Sequence, residues 1–289
     1  MTASDFHLRS IPSQDVENLV QLTDEVGWGF TRSNWQIALA VGQNFALYDD
    51  NGEIAATSAI FRYRNRLSIL GNIIVREKYR GQGLATRVID AAEKCVDLHL
   101  SPIMLVSTPF GEPVYRGRGY RIIGDCTKLV RPTGSEPLSP PDMPGYRFKP
   151  VTASNLEDIL EFDQKACKAD RGQVLTAMLQ AGYTSVSLHR EGDDQLCGYA
   201  LAYPRKTNTV IGPVIAEEAE QARALIQMLG YGREEDLRLD ILSHQTAFLE
   251  DVKEMGFLVS SISPVMMLGK GKKRIQRDKA FAIISQAFG

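Results

Sequence analysis

The chain has 289 residues, 44% of them hydrophobic and 24% charged, with a formal net charge of −2. These values suit a folded globular protein of one large or two medium domains, and a pI near 6.1 argues against a general nucleic-acid binder. No apolar run is long enough to span a bilayer, the stretch MTASDFHLRS lacks the apolar centre of a secretory signal, and Cys95, Cys126, Cys167 and Cys197 are too scattered for zinc or a disulfide framework. The expected setting is a reducing cytoplasm.

DVENLVQLTDEV places Val16, Leu19 and Val20 at helical spacing. The stretch EVGWGFTRSNW (25–35) reads as a loop. FALYDD and GEIAATSAIFRYR flank Asn51-Gly52, a strong hairpin signal. LSILGNIIV (67–75) is a further strand, and GLATRVIDAAEKCVDLHL an amphipathic helix with Leu84, Val88, Ile89, Ala92, Cys95 and Val96 on one side. SPIMLVST is a strand, EPVYRGRG a short helix and YRIIGDCTKLV a strand. RPTGSEPLSPPDMPG (131–145) then holds five prolines and two glycines, which block regular pairing and read as a linker between residues 1–130 and 146–289.

The second half repeats the order of the first. YRFKPVTASNLEDILEF gives a strand and a helix, TSVSLHREGDDQLCGYALAYPR a hairpin, NTVIGPVI a strand and EEAEQARALIQML a helix. LRLDILSH, TAFLEDVKEMG and FLVSSISPVMML follow as strand, helix and strand. LGNIIV pairs with IGPVIA, and the helix ending Arg118-Gly119-Tyr120 with the one ending Met255-Gly256-Phe257. The pattern predicts two copies of one α/β fold, each a mixed sheet with helices on its faces.

Chemistry concentrates at Arg80-Gly81-Gln82-Gly83-Leu84-Ala85-Thr86, between a strand and a helix start. A helix start offers unpaired N–H groups and a positive dipole end, and glycines let the main chain wrap an anion. A diphosphate is the expected guest. Thr86 breaks the dinucleotide pattern G-x-G-x-x-G, and no P-loop is present. The pattern R-x-x-G-x-[GA], carried by Arg80, Gly83 and Ala85 within VREKYRGQGLAT, resembles the acetyl-CoA loop of the GNAT N-acetyltransferases. The whole arrangement is similar to tandem GNAT proteins, and the stretches EVGWGFTRSNW and KAFAIISQAFG and the pair Asp170-Arg171 also resemble that subgroup.

The resemblance implies an α/β (α+β) protein of two tandem GNAT-like domains, each a mixed, mostly antiparallel sheet flanked by helices. It implies acetyl-CoA as cofactor, bound by residues 80–86. It also implies a parted strand whose Ile73, Ile74 and Val75 offer main-chain N–H groups to the thioester arm, a donor type that contributes a few kcal/mol to a transition state. Tyr115, in VYRGRGY, takes the place of the family's acid for the leaving sulfur. No base stands out; Asp24, Glu25 and an ordered water remain open, and His7, His99, His189 and His244 read as structural.

The second copy has Glu217, Glu218 and Glu220 where the first has its loop, and Val252 opposite Tyr115, so it is expected to bind no coenzyme A. Its expected role is to wall the acceptor pocket, with Trp28, Trp35, Asp170, Arg171 and Tyr203 as candidates. The basic run GKGKKRIQR (269–277) is expected to be a solvated loop. The resulting expectation is acetyl transfer to a small-molecule amine. Acetylation of a protein or peptide, and acyl-CoA sensing without turnover, are the alternatives.

Overall fold

A computed structural model describes residues 5–64, 66–270 and 277–289. The first half runs β1 (His7–Ser10), α1 (Val16–Glu25), α2 (Arg32–Val41), β2 (Gln43–Tyr48), β3 (Ile54–Tyr63), β4 (Leu67–Val75), α3 (Leu84–Glu93), β5 (Ile103–Val106), α4 (Glu112–Gly117) and β6 (Arg121–Arg131). The second repeats that order with β7 (Tyr146–Pro150), α5 (Leu156–Cys167), α6 (Gly172–Gln180), β8 (Thr184–Arg190), β9 (Leu196–Pro204) and β10 (Thr209–Ala216). It continues with α7 (Ala219–Gly230), β11 (Leu237–Leu242), α8 (Thr246–Glu254) and β12 (Leu258–Leu268), and adds β13 (Ala280–Ala282). The Pro-rich stretch forms no helix or strand from residue 132 to 145. Among the described residues no helix is long and apolar enough to cross a membrane.

One helix forms where a loop is expected. Helix α2 opens on Thr31, whose hydroxyl accepts from the Asn34 N–H at 3.2 Å while the Asn34 Oδ1 accepts from the Thr31 N–H at 2.9 Å. This reciprocal cap satisfies two otherwise orphaned donors. Helix α3 is shorter than its apolar spacing predicts and ends at Glu93, with Leu84, Val88, Ile89, Ala91 and Ala92 buried.

The two halves share a single sheet. Its strands run β1-β2-β3-β4-β5-β12-β6-β11-β10-β9-β8-β7, with β13 against β10. The last strand of each half has crossed over: β12 pairs with β5, and β6 pairs with β11. The two crossing strands also pair with one another. Two self-contained sheets are therefore replaced by one, in which neither half completes its own edge. The core is shared too. Trp35, Phe30 and Phe61 of the first half pack in one cluster with Tyr199, Leu201 and Ile215 of the second, joined by Ile284 and Phe288. Burial of each large apolar side chain of this kind contributes about 1.5–3 kcal/mol.

Candidate active site

The loop before α3 keeps its main chain open. Gly81 and Gly83 have φ of +78° and +74°, a region that favours glycine, and a Cβ built on either would meet nothing within 4 Å. Among the described residues none of the N–H groups of residues 81–86 donates a hydrogen bond to the protein. Arg80 is exposed beside them and donates from Nε to the Val75 carbonyl at 3.4 Å. Free donors, a helix start and a cation thus converge on one exposed turn, which is the requirement for holding a diphosphate.

Strand β4 parts from β5 beside this turn. The two pair in parallel only at Ser68↔Ile103 and Ile69↔Met104. The cause sits at Asn72, which has φ +53° and interrupts the β3–β4 register. Its carbonyl accepts from the Thr57 hydroxyl at 2.8 Å, so the bend is tied to β3. Beyond the bend, Ile73, Ile74 and Val75 border a cavity of about 680 Å³ that also reaches Arg80, Gly81, Gly83 and Leu84 to Thr86. Gln82 is exposed and does not border this cavity.

A second cavity of about 300 Å³ lies beyond this one. Trp28, Ile73, Thr108 and Tyr115 border both. Tyr115 comes from α4 and is 6% exposed, and its ring meets Tyr120 edge-on at 5.6 Å. Burial, reinforced by the Glu93 charge, pushes its phenol well above the ordinary value, so the hydroxyl keeps its proton at neutral pH. The hydroxyl bonds to no other described residue, which leaves it available to a guest. The second cavity is walled by both halves: Leu70 and Asn72 from β4, Lys128 from the crossing strand β6, Arg205 from the β9–β10 turn, Arg238 from β11, and Gln286.

Trp28 borders both cavities, but Asp170 and Arg171 border neither. Arg171 is 1% exposed and donates to Asp163 from Nε at 3.1 Å and again from Nη2, and from Nη1 to the Gly289 carbonyl at 3.0 Å. Asp170 turns the other way and pairs with Arg64 at 2.5 Å. Trp35 and Tyr203 are core residues, the latter donating to the Ile284 carbonyl at 2.8 Å. Asp24 is bound to Lys206, and Glu25 to Arg76 at 2.5 Å, so both carboxylates are engaged. The basic run falls largely on residues outside those described, although Arg277 at its end is fully buried, unlike a solvated residue. Asn72, Lys128, Arg205 and Arg238 were not singled out from the sequence; a lysine amid buried strand positions at Cys126 and Leu129 was the one available signal.

The same places in the second half are filled by the chain itself. Gln221 Oε1 accepts from the N–H groups of Glu217 at 3.1 Å and Glu218 at 3.0 Å, so the entry to α7 is self-capped. Strand β10 parts from β11 after Thr209↔Leu237 and Val210↔Arg238, and β13 enters the gap, pairing with β10 at Val214↔Ala282. Gly119 and Gly256 share φ of +87° and +85°, which supports the register that sets buried Val252 opposite Tyr115.

Residues 30–128 match one family described as an acetyltransferase (GNAT) domain, and residues 159–282 match a second family of the same description. A Bacillus subtilis (strain 168) protein named as the uncharacterized N-acetyltransferase YitH is 27% identical over 283 residues, covering 98% of each chain. Among solved structures, a putative acetyltransferase from Pyrococcus horikoshii superposes with a TM-score of 0.78 at 21% identity, covering 98% of this chain and 96% of that one. A tandem GNAT protein from the clavulanic acid biosynthesis pathway gives 0.65 at 11% identity, covering 92% and 99%. Both resemblances concern the fold. With two GNAT domains matched in succession and a full-length N-acetyltransferase relative, this chain belongs to the GNAT acetyltransferases and carries that domain twice in tandem.

Proposed function

We propose that the first half binds acetyl-CoA and that the chain passes its acetyl group to the amine of a small molecule. The observation that carries this reading is the junction of the two cavities. The first is bordered by an open anion-binding turn and a parted strand, the second is enclosed by both halves, and Tyr115 stands between them. The residues present fit the cofactor: free N–H groups at residues 81–86 suit its diphosphate, and the parted edge of β4 suits its extended arm. Acetyl-CoA supplies the acetyl group as a thioester, open to attack by a neutral amine.

The turn 80–86 neutralises and orients the phosphates. Main-chain N–H groups of Ile73 and Val75, which point away from β3, are available to the arm and to a carbonyl oxygen as it gains charge, whereas Ile74 pairs with Thr57 of β3. Tyr115 holds a proton on its hydroxyl at the junction, ready for a departing sulfur. With Asp24 and Glu25 engaged in ion pairs, water is the simplest carrier for the proton of the amine. The second half contributes walls and no second cofactor site, because its capped helix start and inserted β13 take the corresponding space. Unpaired Cys95, Cys126, Cys167 and Cys197 are consistent with a reducing cytoplasm.

The test is release of free coenzyme A thiol when acetyl-CoA meets a panel of small amines and lysine peptides. Turnover on small amines supports the proposal. Turnover on peptides alone transfers the activity to proteins, and tight binding with no turnover across the panel leaves a sensor.

A further inference from the structure

The second cavity collects positive charge with no carboxylate on its wall. Lys128, Arg205 and Arg238 border it, and among the described residues no Asp or Glu does. Arg238 is already neutralised, by three hydrogen bonds to the buried Asp240 at 3.3, 3.0 and 2.8 Å. Gln286 donates to the same carboxylate at 3.1 Å. Lys128 faces Asp240 across the β6–β11 pair, yet it forms no hydrogen bond or ion pair among the described residues.

Arg205 is fixed in place and incompletely used. Its Nη1 donates to the Trp28 carbonyl at 3.1 Å and its guanidinium lies 4.2 Å over the Phe30 ring, while its Nε is buried without a partner. Asn72 adds an independent sign of a guest. It is 2% exposed, borders the cavity, and neither its side-chain oxygen nor its nitrogen has a partner. A buried amide that bonds to nothing in the protein is costly unless a ligand completes it. Burial, with the Arg238 charge nearby, also holds Lys128 and Arg205 below their ordinary values, a strain that an anion would relieve.

We propose that the acceptor is a small amine that also bears an acidic group, a carboxylate or a phosphate, and that Lys128 and Arg205 hold that group while Asn72 bonds the polar body of the acceptor. This rests on the reading of the second cavity as the acceptor site. A cavity of about 300 Å³ suits a molecule of amino-acid size, and its charge repels polyamines and lysine-rich peptides.

The experiment compares matched pairs on the full chain: amino acids against their amides, and aminoalkyl phosphates against the corresponding amino alcohols. Thiol release is followed in the wild type and in Lys128→Gln. The acidic members are expected to have a KM about tenfold or more below their neutral partners, as loss of a charged hydrogen bond predicts. Lys128→Gln is expected to erase that gap while leaving the KM for acetyl-CoA unchanged. The carboxylate and phosphate arms show which acid is preferred. Equal or better use of the neutral members, or of polyamines, overturns the proposal and leaves acetyl transfer standing. Calorimetry with N-acetylated amino acids covers the case of no turnover. Binding that Lys128→Gln abolishes would keep the acid site and defeat the transfer reading; no binding of any acid would overturn the acid site.

Discussion

Replacing Gly83 by Asp separates the folding role of the loop from its binding role. A Cβ at Gly83 meets nothing within 4 Å, so the substitution makes no clash. At φ +74° the non-glycine residue adds a conformational cost of about 1–2 kcal/mol to folding. Binding should suffer separately, because a carboxylate would stand among the N–H groups meant for a diphosphate. Two unit charges about 4–5 Å apart repel by about 3–4 kcal/mol at an effective dielectric near 20, and by about 2 kcal/mol at twice that value. The turn is exposed, so the smaller figure is the better guide, and the affinity for acetyl-CoA should fall about 30-fold. Gly83→Ala carries the conformational cost without the charge and is the control. Titration calorimetry with acetyl-CoA, paired with thermal melting of each variant, reads both effects, and added salt should narrow the gap between Asp and Ala. If Gly83→Asp melts normally and binds acetyl-CoA as the wild type does, the turn is not the phosphate site.

Tyr115→Phe should lower kcat by roughly 10–100-fold while leaving the Kd for acetyl-CoA within about twofold, as expected for a proton donor; parallel losses in stopped-flow turnover and calorimetry would make it a binding residue. Arg171→Met should cost about 3–5 kcal/mol in denaturant melts, because Asp163 would keep a buried charge without its cation. The KM for the acceptor of the folded variant should be unchanged, and a selective rise in that KM would return Arg171 to the acceptor pocket. Burial raises the phenols of Tyr48, Tyr63, Tyr115, Tyr120 and Tyr199 in the folded chain. Above pH ~10 the unfolded chain therefore loses protons that the folded chain keeps, and stability should fall as pH rises further. Tyrosinate absorbance should appear together with unfolding; full ionisation of these phenols in an intact fold would refute the assignment.

What could be read from the sequence is what depends on nearby residues. Gly81 and Gly83 before an amphipathic run mark an open helix start, and Asn51-Gly52 marks a hairpin, because in each case a few adjacent residues set the backbone. The repeated order of elements follows for the same reason. Helix α2 escaped because Asn34 stands where Glu or Gln usually completes the cap, and because Gly27 and Gly29 precede it. The crossed strands escaped because the pairing of residues 121–131 with 237–242 leaves no local mark. Asp170 and Arg171 show the limit of adjacency: neighbours in sequence, they face a surface arginine and a buried carboxylate respectively. Lys128 and Arg205 converge only once the second half is in place, so no spacing rule links them.

The crossing of β6 and β12 also bears on how the chain is made. A ribosome delivers β5 long before β12, its neighbour, and β6 before either of its flanking strands. The nascent first half must therefore wait with a bare sheet edge and an unplaced strand until synthesis has passed residue 268. During that interval two emerging chains could trade strands with each other as readily as one chain does within itself.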